Sequence, residues 1–174
     1  MERLWLLDHL ALTLRETDFA DPALAGEPGV RERGVRLEVR PVAVTAQGSL
    51  YSSPALALAP PVCRVDLLES APGAADRMHW HPVMHDGEPG ERVFDPALSA
   101  DPEGWLLSRL RDLPSLLEGA SGADRERFAP ETDAVAGLAA QVGAQVATSL
   151  AALREPWPDV EHDERGMAPV PATA

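Results

Sequence analysis

The sequence predicts an α+β fold: an N-terminal antiparallel β-sheet or small open barrel, followed by C-terminal helices and a disordered acidic tail. Three observations carry this. Apolar and polar residues alternate in several short runs before residue 83, apolar residues recur every three or four positions after Asp95-Pro96, and prolines and acids crowd the chain from Glu155 onward. Alternation is the period of a strand with one buried face, and the wider spacing is that of a helix with one buried stripe. Strands first and helices last is an α+β order.

Within residues 8–17, Leu10, Leu12 and Leu14 alternate with His9, Thr13 and Arg15, which reads as a strand. Leu6, Leu7, Leu10 and Leu14 also fit a helical stripe, so a helix from Met1 competes. Asp21-Pro22, Gly26 and Pro28-Gly29 make residues 18–33 a loop. Residues 34–40 alternate cleanly, and the pattern continues to Thr45 past Pro41, a proline suited to an edge or bulge. Gln47-Gly48-Ser49 closes that run as a turn, and further strands are expected over residues 55–59, 62–68 and 77–83.

Asp101-Pro102-Glu103 is a helix start, with Asp as cap and Pro at the first helical position. Trp105, Leu106, Arg109, Leu110 and Leu113 follow at helical spacing until Pro114 ends or kinks the run. The longest periodic stretch opens at Pro130-Glu131-Thr132-Asp133 and continues through Val135, Leu138, Val142, Val146, Leu150 and Leu153. Its small residues, Gly137, Ala139, Ala140, Gly143, Ala144 and Ala147, admit a second backbone at close range, either in the core or in a homodimer seam through residues 130–154. Core packing is the expected use. Beyond it, Pro156, Pro158, Pro169 and Pro171 and five acids against one Arg make residues 155–174 a disordered tail, leaving residues 1–154 as a single domain.

Composition narrows the chemistry. The 174 residues include no Lys, Ile or Asn, so all 15 cations are Arg and no Schiff-base lysine exists. A net charge of −13 repels phosphate backbones and anionic headgroups, which disfavours nucleic acid and membrane, is compatible with a cation or a basic protein surface, and leaves a small molecule or such a surface as the expected partner. Cys63 is the single cysteine, so an intramolecular disulfide is excluded, and its place in an alternating run reads as inert packing. The N-terminal apolar residues are interrupted by Asp8 and His9, and no apolar run approaches about 18 residues, so a cytoplasmic location is expected. Gly-x-Gly-x-x-Gly, Gly-Lys-Ser/Thr, Gly-x-Ser-x-Gly and Cys-x-x-Cys are all absent, which leaves no nucleotide signature.

Three of the five histidines, His79, His81 and His85, fall within seven residues. On a strand His79 and His81 share a face, about 7 Å apart by strand rise, and a turn beyond Pro82 brings His85 back toward them. Imidazole is the commonest ligand for divalent transition metals, with Zn, Fe, Mn or Ni as candidates, and three ligands with an open position is the form of a catalytic metal. Asp86, Glu88, Glu91 and Asp95 offer carboxylates nearby, Glu91 being the candidate fourth ligand or acid/base. The competing expectation is that Trp80 and Met84 form the buried face and the imidazoles are solvated.

Gly73, five residues, then His79 and His81 resemble the opening of the first cupin motif, which suits a β-barrel. The Glu position of that motif holds His85 or Asp86, its closing Gly is not at the right spacing, and the only later histidine is His162 in the tail. The resemblance is confined to residues 73–86 and does not place the chain in that family. Three functions follow as expectations: a metal-dependent small-molecule enzyme, a non-enzymatic acidic interaction module, or a metal-free barrel binding a small apolar ligand against Trp80, Trp105 and Phe94.

Overall fold

The computed structural model describes residues 2–24, 30–45, 51 and 55–168. Within them the fold is α+β, an antiparallel sheet followed by helices. The sheet comprises β1 (Glu2–Leu6), β2 (Leu10–Ala20), β3 (Arg31–Thr45), β4 (Ala55–Leu58), β5 (Cys63–Glu69) and β6 (His79–His81). Strand order is β1-β2-β3-β5-β6, and β4 pairs with the far end of β3. Between residues 2 and 20 the strand reading holds over the helical one, because β1 and β2 are antiparallel partners from Glu2↔Arg15 to Leu6↔Ala11. The expected turn at Gln47-Gly48-Ser49 lies outside the described residues. The loop expected over residues 18–33 is shorter than its composition suggests, since β2 runs on to Ala20 and β3 begins at Arg31.

The sheet does not close into a barrel. One of its faces is apolar. Leu10, Leu12 and Leu14 of β2, Val35, Leu37 and Val39 of β3, Cys63, Val65 and Leu67 of β5, and Trp80 of β6 are all buried on the side that the helices cover. Burial contributes about 1.5–3 kcal/mol for each large aliphatic side chain, so this face is the main source of stability. Cys63, fully buried, hydrogen-bonds the Leu116 carbonyl, and burial pushes its thiol up to about 12, the inert state its setting predicts.

The covering layer is α1 (Pro96–Ala100), α2 (Pro102–Arg111), α3 (Leu113–Leu116), α4 (Gly122–Phe128) and α5 (Thr132–Leu153). Asp101 caps α2 by accepting from the Gly104 N–H at 2.9 Å, as the Asp-Pro-Glu signal predicts. The run breaks beside Pro114, as expected: α2 stops at Arg111, and α3 restarts with the proline in its first turn. Val135, Ala139, Val142 and Val146 of α5 enter the core, and a Cβ at Gly143 would lie 2.9 Å from Leu107, so the small-residue stripe lets α2 pack closely. The stretch 122–153 is long and apolar enough by composition to cross a membrane, but in this fold that apolar stripe is occupied by the sheet and α2.

Two polar ties join the layers. Buried Glu131 accepts from the His9 N–H at 2.8 Å, and buried Glu69 on β5 binds Arg154 just past α5 at 2.7 Å. Residues 155–168 hold no helix or strand, as their prolines predict, and several of them contact the sheet, while residues 169–174 of the expected tail lie outside the described residues. Arg31 lies 5.4 Å from the Trp157 ring and donates to the Pro158 carbonyl, His162 pairs with Asp18 at 3.1 Å, and Met167 bridges to Phe19. The reason is local charge: Asp18, Arg31 and Arg33 form a cluster on β2 and β3 to which the tail adds an imidazole and an indole.

Candidate metal centre

The other face of the sheet is charged. Register aligns Arg15, Arg36, Asp66 and His79 in one row across β2, β3, β5 and β6, and Thr13, Glu38, Arg64 and His81 in the next. Asp66, His79 and His81 are 1%, 1% and 3% exposed, so this polar cluster is as buried as the core. Buried charge and imidazole persist only with partners. Glu38 is held by Arg40 at 2.6 Å and Arg64 at 3.0 Å, and Asp66 by Arg36, which donates from Nε at 2.5 Å and from Nη2 at 3.2 Å.

The two imidazoles are oriented by the backbone. His79 Nδ1 lies 2.8 Å from the Arg77 carbonyl and His81 Nδ1 3.0 Å from the Gly90 carbonyl. A carbonyl only accepts, so each Nδ1 carries the proton and each Nε2 a lone pair. Both Nε2 atoms point at one carboxylate oxygen, Asp66 Oδ2, at 3.5 and 3.7 Å. Burial lowers both imidazoles below their ordinary value, against the raising effect of the carbonyls and of Asp66, so the rings are neutral near pH 7. Arg36 offsets the charge of that oxygen from one side, and a cation among the three atoms would offset the two lone pairs as well. Metal bonds near 2.0–2.1 Å in tetrahedral geometry set ligand atoms about 3.4 Å apart, close to the separations found. The donor atoms of Asp66, His79 and His81 all lie within 4.8 Å of one another, and this buried group could hold a metal ion.

The placement of the histidines differs from expectation in its third member. His79 and His81 share a face and converge, as the His-x-His spacing predicts, and Trp80 between them turns into the core. His85 does not join them: Pro82 ends β6, and β7 (Met84–His85) pairs with β8 (Glu88–Pro89) through a two-residue turn at Asp86-Gly87. Both turn residues have positive φ, 52° and 90°, the geometry of a tight hairpin, which leaves His85 exposed on the hairpin. Glu91 is also exposed, and only its backbone reaches the site, beside His81. The third member of the group that could hold an ion is instead Asp66, thirteen residues upstream of His79.

The cluster opens into a cleft of about 230 Å³ whose wall includes Arg36, Arg64, Arg92, Glu32, Thr17 and Met167. Among the described residues Glu32, 13% exposed, lines this cleft with no closer cations than Arg92 at 3.9 Å and Arg77 at 4.0 Å. Phe94 lies against the His79 ring at 5.4 Å. Trp80 and Trp105, proposed from sequence as lining an apolar site, instead pack on each other at 5.5 Å in the core with Arg109 stacked on both. The sheet is open, and these two rings lie in its helix-covered core.

No protein-family model matches the chain, and no curated protein or solved structure is detectably similar to it. Function therefore rests on the site itself.

Proposed function

We propose that this chain is a metal-dependent small-molecule enzyme whose centre is Asp66, His79 and His81. The observation that supports it is the fixed tautomer: backbone carbonyls take both Nδ1 protons, and the two Nε2 lone pairs converge with Asp66 Oδ2 at a buried point open to a cleft. Ligating histidines characteristically donate their second nitrogen to a carbonyl or carboxylate, which fixes ring orientation and raises ligand basicity. Two imidazoles and one carboxylate on one side of an ion leave positions for water and substrate, the donor set of non-haem Fe(II) sites and one that Mn, Ni or Zn also accept. Held by Asp66, His79 and His81, such an ion would supply Lewis-acid chemistry at the cleft. Glu32, on the cleft wall, is placed to exchange protons with whatever binds there.

Metal-replete purification with elemental analysis, followed by calorimetric titration of chelator-stripped protein, tests this reading. One equivalent of a divalent transition metal is expected for the native chain and for His85→Ala, and none for the His79→Ala/His81→Ala double variant. A native chain that takes up no metal, or a double variant that retains it, removes the proposal.

A further inference from the structure

We propose that the arginine-walled cleft beside Asp66, His79 and His81 is the seat of a small oxyanion, a carboxylate or phosphate group bound where the metal leaves coordination positions open. The inference rests on the metal reading and adds the charge class of the ligand. Its first support is a reversal of sign. The chain carries −13, yet three arginines, Arg36, Arg64 and Arg92, line this cleft against two carboxylates, Glu32 and Asp66. A dication at the centre would make the cleft more positive still.

The second support is a set of unspent donors. Arg36 is committed to Asp66, but Arg64, 12% exposed at its side chain, has one hydrogen bond among the described residues, from Nε to Glu38 at 3.0 Å. Arg92 is half-exposed and only loosely engaged with Glu32 at 3.9 Å, free to close on a ligand. Thr17 lines the same cleft at 3% exposure, and among the described residues its buried hydroxyl oxygen has no hydrogen-bond partner. Leaving such a group unsatisfied costs about 1–3 kcal/mol, which an accepting oxyanion recovers. The space of about 230 Å³ lies below the roughly 300–1,000 Å³ of drug-sized ligand sites, which fits a small acid.

The test uses the full chain loaded with Co(II), whose visible spectrum reports the metal's ligands, with metal content measured on the same samples. Malonate and inorganic phosphate are titrated separately, with sodium chloride at equal ionic strength as control. One of the two anions is expected to bind and to change the Co(II) spectrum, malonate identifying a carboxylate ligand and phosphate a phosphoryl one. Arg92→Gln, on a half-exposed side chain that the fold does not need, is expected to weaken that anion about tenfold or more with metal content unchanged, and Arg64→Gln to do the same. Full Co(II) content with no response to either anion beyond that of chloride overturns the oxyanion and leaves the metal centre standing. Unchanged anion affinity in both arginine variants overturns the assignment of the cleft wall. A chain that takes up no Co(II) overturns the metal reading and this inference with it.

Discussion

Replacing Asp66 by Asn keeps the volume of the side chain and removes its charge, and the structure makes the consequence different for the metal-free and metal-loaded protein. Without metal, two effects oppose. Arg36 loses a carboxylate that it binds at 2.5 and 3.2 Å, while an amide N–H now faces the lone pairs of His79 and His81, 3.5 and 3.7 Å from the present Oδ2. The thermal midpoint of the stripped protein should therefore move little. With metal, the anionic ligand is gone, and affinity should fall by about a hundredfold or more. Binding to the folded state alone stabilises by RT ln(1 + [L]/Kd), about 2.7 kcal/mol at a hundred times Kd, and by only about 0.4 kcal/mol once Kd has risen to equal the metal concentration. For a chain of 174 residues each kcal/mol moves the midpoint by about 2–4 °C. Calorimetric scans with and without Zn should thus show a rise of about 5–11 °C in the native chain and about 1–2 °C in Asp66→Asn at the same Zn concentration. An undiminished rise in the variant would refute the place of Asp66 in the centre.

Other outcomes follow from the same geometry. Burial holds both imidazoles below their ordinary value of 6.5, so the unfolded chain takes up protons there while the folded chain stays neutral. Stability of the stripped protein should accordingly be held above about pH 6.5 and fall as pH drops below it, by up to about 1.4 kcal/mol per pH unit for each ring, until the folded rings also protonate; urea midpoints across that range check the sign. Truncation after Arg154 removes the His162 pair with Asp18, the Arg31 contact with Trp157 and two backbone hydrogen bonds, from Ala20 N–H to Gly166 and from Ala168 N–H to Asp18, and should lower the midpoint by roughly 5–10 °C. No change on truncation would show the tail to be detached. Gly34→Ala places a Cβ 2.0 Å from the Leu67 carbonyl oxygen on the neighbouring strand, where only backbone can yield, and should cost several kcal/mol in chemical denaturation; a loss under about 1 kcal/mol would contradict the close β3–β5 approach.

Much of the fold was legible because its signals are local. Period-two alternation marks β2, β3 and β5, and the Asp-Pro cap and three-to-four spacing mark α2 and α5. What local pattern could not supply is which strands lie side by side. The pairing of Asp66 with His79 depends on the β5–β6 register, set by tertiary packing across a thirteen-residue interval that carries no ligand pattern of its own. For that reason two members of the candidate centre were readable and the third was not. The misplacement of His85 has a different cause: Asp86-Gly87 is itself a hairpin signal, and it turns the chain immediately after His85 instead of around it. The arginine wall was hidden because Arg36, Arg64 and Arg92 come from three separate segments, and in a chain of net charge −13 nothing in composition separates them from surface cations. The docking of residues 155–168 was hidden similarly, since it uses a few polar contacts to β2 and β3 that composition reads as solvated.

The central claim is that two imidazoles and one carboxylate, and not three imidazoles, surround the ion. X-ray absorption of the metal-loaded chain counts imidazole ligands directly through their multiple scattering. Two histidine nitrogens with oxygen donors completing the shell at about 2.0–2.2 Å is the predicted spectrum, identical in His85→Ala. Three imidazoles, or a shell without any, would contradict the account.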